Sequence, residues 1–68
     1  MRLETYLDLR SMSDLDFAKL VGRDRTTVSR WRRRDVIPDP HAMRIIADVT
    51  KGAVTANDFV HMDEELRQ

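Results

Sequence analysis

One stretch, Ser13–Arg34 (SDLDFAKLVGRDRTTVSRWRRR), decides the fold of this 68-residue chain. Ala18 is followed by Gly22 four residues later, by Val28 after six more and by Trp31 after a further three. A small residue lets two helices cross closely, a glycine supplies the left-handed turn between them, and large apolar residues anchor the second helix. The spacing therefore predicts a helix-turn-helix pair, packed through Ala18, Gly22, Val28 and Trp31.

Helical periodicity continues on both sides of this pair, and no stretch alternates like a strand. We predict an all-α domain of five helices. Their expected ranges are 3–10, 14–21, 25–34, a fourth helix that begins at Pro40 and ends before Gly52, and a short fifth that starts after Thr55 and carries Phe59. A compact domain over residues 1–62 with a polar tail at 63–68 follows from this pattern.

Residue types at the helix ends support these boundaries. Ser13, Asp24 and Asp39 each precede a predicted helix and belong to the preferred N-cap residues, and Pro40 suits a first helical position. The buried face of the second helix is expected to consist of Phe17, Ala18, Leu20 and Val21, and the methionines Met12, Met43 and Met62 are expected to fill the core or its edges.

Composition narrows the class of protein. Hydrophobic residues make up 41% of the chain, as in a globular domain, and no cysteine is present for disulfides or thiolate metal sites. No apolar run approaches the roughly 20 residues that cross a bilayer, and Glu4 and Asp8 stand where a signal peptide would be apolar. We expect a cytoplasmic protein without a membrane partner, and the initial Met1 and lack of a linker favour a complete protein.

The charge is balanced overall but unevenly placed. Twelve basic and twelve acidic residues give a net charge of zero, yet six of the arginines lie between Arg23 and Arg34 with Asp24 as the one acid among them. A local basic patch is the electrostatic footprint of nucleic-acid binding, whatever the total charge. The alternative interpretation, a solvated helical face, is less consistent with a one-signed patch that follows a helix-turn-helix spacing.

On these residues the chain resembles the phage repressor and Cro (XRE-type) family of helix-turn-helix regulators. The resemblance extends from Leu3 to about Val60 and includes the segment 52–59, GAVTANDF. It implies a compact five-helix, lambda-repressor-like fold, with the helix over residues 25–34 in the major groove of DNA. It also implies a sequence-specific transcriptional regulator of a bacterium or phage, either a repressor or a Cro-like switch, that is nucleoid-associated when bound.

The resemblance assigns roles residue by residue. Base reading is implied for Arg25, Thr26, Thr27, Ser29 and Arg30. The chemistry agrees, because an arginine can fork onto guanine O6 and N7 and a threonine methyl can meet a thymine methyl. Phosphate binding is expected of the remaining arginines of the patch and of two helix starts: Ser13, Arg23, Arg32, Arg33, Arg34 and His41.

One position departs from the family. Many members carry glutamine at the start of the second helix, where it supports a phosphate contact, and this chain has Asp14 there. A carboxylate would repel phosphate, so two other roles are open for Asp14: pairing with a nearby arginine, or capping the helix.

The expected partner is double-stranded DNA with a palindromic operator, bound by a homodimer. The apolar residues Phe59, Val60, Met62 and Leu66 are the predicted dimer surface. We expect no cofactor, no small-molecule substrate and no enzymatic activity. His41 and His61 lie twenty residues apart with no cysteine present, which does not suggest a metal site.

Two other functions stay open. The chain could be a protein-interaction module that keeps this fold, such as an antitoxin or anti-repressor, using its acidic surface or the Asp63–Glu65 stretch. It could also be the DNA-binding domain of a longer activator. The six arginines favour DNA binding over the interaction module. Trp31 could stack on a base, but its spacing from Val28 favours the core.

Overall fold

The computed structural model describes residues 1–59, and in that range the chain is all-helical without strands. Four helices have full bounds: α1 Leu3–Leu9, α2 Asp14–Val21, α3 Arg25–Arg32 and α4 Pro40–Val49. A fifth helix, α5, begins at residue 56 and is described through residue 59. The all-α prediction with five helices is confirmed, whereas the end of the predicted domain and its tail (60–68) lie outside the described residues.

Two helices end earlier than predicted, α1 at Leu9 and α3 at Arg32. In both cases the chain turns away from the helix at a left-handed residue that is not a glycine, so the sequence does not mark the end. Ser11 (φ 51°), Arg34 (φ 67°) and Lys51 (φ 54°) all adopt left-handed conformations just after a helix. After α3, the amide of Arg34 donates to Trp31 O (3.1 Å) and that of Asp35 to Arg30 O (2.9 Å). This paired reversal satisfies carbonyls that the helix end would leave open.

The helix starts agree with the predicted caps in position. Ser13 Oγ accepts a hydrogen bond from the amide of Asp16 (3.1 Å), and Asp39 Oδ2 accepts one from the amide of Ala42 (3.3 Å). Asp24 has the extended backbone of an N-cap residue, but its side chain makes no capping hydrogen bond. The first turn of α3 therefore starts without a side-chain cap from Asp24.

The turn between α2 and α3 consists of residues 22–24, and Gly22 opens it. Gly22 has φ 71° and ψ 34°, the left-handed conformation that was predicted. The amide of Arg23 then donates to Ala18 O (3.0 Å), which closes the end of α2. No atom lies within 4 Å of the place where a Cβ would stand, so backbone conformation alone accounts for the glycine.

We expect Gly22→Ala to lower the free energy of unfolding by roughly 1–2 kcal/mol, the cost of a left-handed L-residue. Gly22→Asn should lose less, because asparagine tolerates this conformation. Urea denaturation of both variants and the wild type measures the difference. A loss in Gly22→Ala several times larger than this would mean that the site is sterically closed, contrary to the open space around it.

The core lies where the helices meet. α2 packs against both α3 and α4, and α3 also packs against α1. Val28 and Trp31 face inward and are buried, as predicted, and Tyr6 contacts Phe17 edge to face with ring centroids 6.3 Å apart. The buried apolar residues are Leu3, Tyr6, Leu7, Phe17, Ala18, Val21, Val28, Trp31, Ala42, Ile46, Val54 and Phe59.

One core prediction is wrong: Leu20 is 54% exposed. The buried residues of α2 are Phe17, Ala18 and Val21, and Leu20 is rotated about 100° from the centre of that stripe. Met12 and Met43 are partly buried against the core, which confirms them as fillers, and Met62 lies outside the described residues.

Candidate nucleic-acid interface

The helix α3 has one buried and one solvent-facing side. Val28 and Trp31 are 0% and 2% exposed, which anchors the inner side. Thr26, Arg30 and Arg33 are exposed, and their spacing of four and three residues aligns them along the opposite side. Of the other residues predicted to read bases, Arg25 is exposed at the first position, while Thr27 and Ser29 are half-buried at the edges.

Two arginines of α3 are available for a ligand. Neither Arg25 nor Arg30 has a carboxylate partner within residues 1–59, and both are exposed. A guanidinium has five N–H donors in a fixed fork and stays protonated. The outer side of α3 therefore presents two unneutralised, planar donors together with the hydroxyl of Thr26.

Arg23 joins the α2–α3 turn to the start of α4. Its Nη2 lies 3.2 Å from Asp39 Oδ1 and donates to Oδ2 (3.3 Å), the oxygen that also caps α4. Partial desolvation is the largest influence on the pKa of Asp39 and raises it. Hydrogen bonds from the amide of Ala42 and from Arg23, with the charge of Arg23, outweigh desolvation and lower the pKa below 3.8.

This geometry predicts acid sensitivity. A carboxylate whose pKa is lowered by folding stabilises the fold above its unfolded pKa, and that contribution disappears as the pH falls through the folded value. Asp39 and Asp58 each have a pKa below 3.8, the ordinary value for an aspartate. We therefore expect the free energy of unfolding to decline as the pH drops below 3.8. Urea titrations over a pH series measure this decline.

The matched variants are Asp39→Asn and Asp24→Asn. The first removes the capping carboxylate of α4, so it should lose stability at neutral pH and show a shallower acid decline than the wild type. The second changes an N-cap carboxylate that makes no capping hydrogen bond, so it should keep nearly wild-type stability at neutral pH. If the free energy of unfolding of Asp39→Asn fell with acid as steeply as that of the wild type, Asp39 would not be a source of the acid sensitivity.

Arg32 is held by carboxylates of two other helices. Its Nη1 donates to Asp14 Oδ1 of α2 (3.1 Å), and its Nη2 donates to Asp8 Oδ1 of α1. Of the two roles left open for Asp14, the structure shows pairing with an arginine. The hydrogen bond to Asp14 is the main cause of a raised pKa of Arg32, and it outweighs desolvation. The predicted phosphate contact of Arg32 stays a prediction, with its guanidinium engaged elsewhere.

Sequence reasoning left the arginine partner of Asp14 unnamed, although a signal for Arg32 was present. Asp14 stands four residues before the buried Ala18, and Arg32 stands four residues after the buried Val28. Residues four apart share one face of a helix. Asp14 and Arg32 therefore lie on the faces of α2 and α3 that pack against each other. Because their charges are opposite, we expect the two side chains to meet.

The other predicted phosphate contacts have different surroundings. Arg33 is exposed, and its Nε lies 3.6 Å from Asp35 Oδ2 across solvent, a pairing of little strength. Arg34 is half-buried in its left-handed conformation and lines a small cavity with Trp31 and Phe59. Ser13 caps α2, and His41 is exposed in the first turn of α4.

The predicted dimer surface needs a correction at Phe59. This residue is 2% exposed and belongs to the core cluster, because α5 packs its aromatic side chain inward. It is therefore not part of an exposed apolar surface. Val60, Met62 and Leu66 lie outside the described residues.

Residues 1–59 contain no group of three or more His, Cys, Asp or Glu side chains arranged to hold a metal ion. No helix in that range is long and apolar enough to cross a membrane.

The candidate interface thus consists of the exposed side of α3, with Arg23 and the start of α4 beside the turn. Comparison with known proteins finds no significant match to this chain among family models, curated proteins or solved structures.

Proposed function

We propose that this protein is a sequence-specific regulator of transcription that binds double-stranded DNA, with α2 and α3 as its helix-turn-helix. The observation that carries this proposal is the outer side of α3, where Arg25, Thr26 and Arg30 are exposed and both arginines lack a carboxylate partner within residues 1–59. The likeness to phage repressors and Cro proteins supports a repressor or a Cro-like switch that acts in the cytoplasm of a bacterial cell.

The dimensions of α3 suit the major groove of DNA. An α-helix with its side chains is about 10–12 Å in diameter, which fits a major groove about 12 Å wide. The 8 residues of α3 extend about 12 Å along the helix axis. Because Val28 and Trp31 hold the inner side, the outer side can enter the groove without unfolding of the core. Arg30 would fork onto a guanine, and Thr26 would contact a thymine methyl group.

Phosphate contacts would hold α3 in register. Arg33 is the best candidate, since it is exposed on the outer side just after the end of α3 and its pairing with Asp35 is weak. Arg23 lies at the turn and at the start of α4, and phosphate would compete with Asp39 for its guanidinium. Contacts of this kind fix position on the duplex and contribute no sequence information.

A homodimer on a palindromic operator follows from the same proposal, because two α3 helices about 34 Å apart would reach successive major grooves. Analytical sedimentation with and without operator DNA tests the dimer. A monomer in both conditions would overturn the homodimer. The proposed DNA contacts of the single chain would then be tested by the binding experiments alone.

Selection from a random duplex library tests the function itself, with affinities of the selected and random duplexes measured at two salt concentrations. We expect an enriched palindromic site that is bound at least about 10³-fold more tightly than random DNA. Weak binding that salt abolishes, with no enriched site, would overturn the proposal in favour of an interaction module, or of a fragment that needs a missing partner.

Lys51→Ala is a matched control for loss of one positive charge. Lys51 follows the C-terminal end of α4, whereas Arg23 pairs at its N-terminal end, about 15 Å away along the helix axis. This variant should select the same site with nearly unchanged affinity, whereas an Arg30→Ala variant of α3 should bind that site more weakly.

A further inference from the structure

Arg32 differs from its neighbours in the arginine patch in how it is held. Its side chain is 29% exposed and that of Asp14 is 22% exposed, whereas Arg33, one residue later, is 63% exposed. The two terminal nitrogens of Arg32 donate to carboxylates from two different helices, Asp14 of α2 and Asp8 of α1. One side chain therefore connects α3 to both of the preceding helices.

The charges around Arg32 argue against a phosphate contact. Asp14, Asp8 and Glu4 all interact favourably with the guanidinium, and two of them accept its hydrogen bonds. To reach a phosphate, Arg32 would have to give up two charge-assisted hydrogen bonds and leave the half-buried Asp14 without this partner.

The position of Arg32 suits a different task. Apolar contacts of Val28 and Trp31 hold α3 against the core, but such contacts are non-directional. The turn at residues 22–24 holds the N-terminal end of α3, and Arg32 is its last helical residue. Directional hydrogen bonds at that end determine how α3 is rotated and tilted on α1 and α2.

We propose that Asp8, Arg32 and Asp14 form a clamp that orients α3 and so sets the sequence specificity of the interface. Arg32 is then a positioning residue, which acts through Thr26 and Arg30 on the outer side. The inference rests on the proposed DNA-binding function and deepens it, because it assigns one arginine of the basic patch to specificity without contact with DNA.

Arg32→Lys and Asp14→Asn test the clamp, with Arg33→Gln as the matched control. Lysine keeps the charge but lacks the fork that spans two carboxylates. Asp14→Asn makes the domain one unit more positive, so charge alone would strengthen its binding to every DNA sequence. Affinities for the selected and a random duplex are measured over a salt series, at a temperature where circular dichroism shows all proteins folded.

We expect both clamp variants to lower the ratio of the affinity for the selected duplex to that for the random duplex by about tenfold, comparable to the loss of one good base contact. They should not lower the salt slope, which is the steepness with which log affinity falls with log salt concentration. Arg33→Gln should keep the ratio and lower the slope by about one. An unchanged ratio in both clamp variants would overturn the clamp. So would an Arg32→Gln variant that lowers the slope as Arg33→Gln does, since this would identify Arg32 as a phosphate contact.

The result for the wild type distinguishes failure of the DNA-binding function from failure of the clamp. If it prefers no duplex, the DNA-binding function fails, and the clamp as a determinant of specificity fails with it. If the wild type is selective and the clamp variants are equally selective, only the clamp is wrong.

Discussion

Trp31→Ala is expected to leave the domain largely unfolded at physiological temperature. The side chain is 2% exposed at the point where α3 packs into the core, and truncation of a buried tryptophan costs about 3–5 kcal/mol. The whole stability expected for a chain of this length is only about 3–10 kcal/mol. Far-ultraviolet circular dichroism during heating, together with urea denaturation, measures the loss.

Thr26→Ala is the control for Trp31→Ala, because Thr26 is exposed on the same helix. Alanine is also the better helix former, so this variant should unfold close to the wild-type midpoint. A Trp31→Ala protein with a near-native midpoint would mean that Trp31 is not a core residue, and base stacking by the indole would then have to be reconsidered.

Arg30→Ala is expected to weaken binding to the preferred duplex by about 1–3 kcal/mol and to relax selectivity at one base pair. Arg30 is exposed at the centre of the outer stripe of α3 and has no carboxylate partner in residues 1–59. We expect the mutation to remove a bidentate contact with guanine, so that all four bases at that position become more nearly equivalent. Binding to duplexes varied at each position of the selected site measures this effect.

The companion variant Arg33→Ala removes the charge of the C-cap residue that directly follows α3. We expect it to weaken binding by a similar factor on every sequence and to lower the salt slope by about one, as for a lost phosphate contact. If Arg30→Ala and Arg33→Ala behave alike on selected and random DNA, the division between base-reading and phosphate-binding residues is wrong.

Local sequence signals predicted the helices of this protein well wherever one residue type has one strong conformational preference. Gly22 was identified as the left-handed turn residue, and Ser13 and Asp39 as helix caps, because these residue types favour those conformations. The ends of α1 and α3 were placed too late, because Ser11 and Arg34 adopt left-handed conformations that their residue types do not favour.

The candidate interface shows the same division. The spacing of Val28 and Trp31 predicts which side of α3 is buried, and so leaves Thr26, Arg30 and Arg33 on the outside. The same spacing does not predict which of the arginines are paired with carboxylates. Arg23 and Arg32 are paired with carboxylates sixteen to twenty-four residues away in sequence, whereas Arg30 has no such partner in residues 1–59.

The sequence by itself determined the all-helical class, the α2–α3 pair and the buried side of α3, because these follow from periodicity and local preference over a few residues. Only the tertiary structure decided that Leu20 is exposed, that Phe59 belongs to the core and that Asp8 and Asp14 hold Arg32. The physical reason is that burial and ion pairing depend on which helices meet and at what angle. The packing of the whole domain determines those angles, and no single segment carries them.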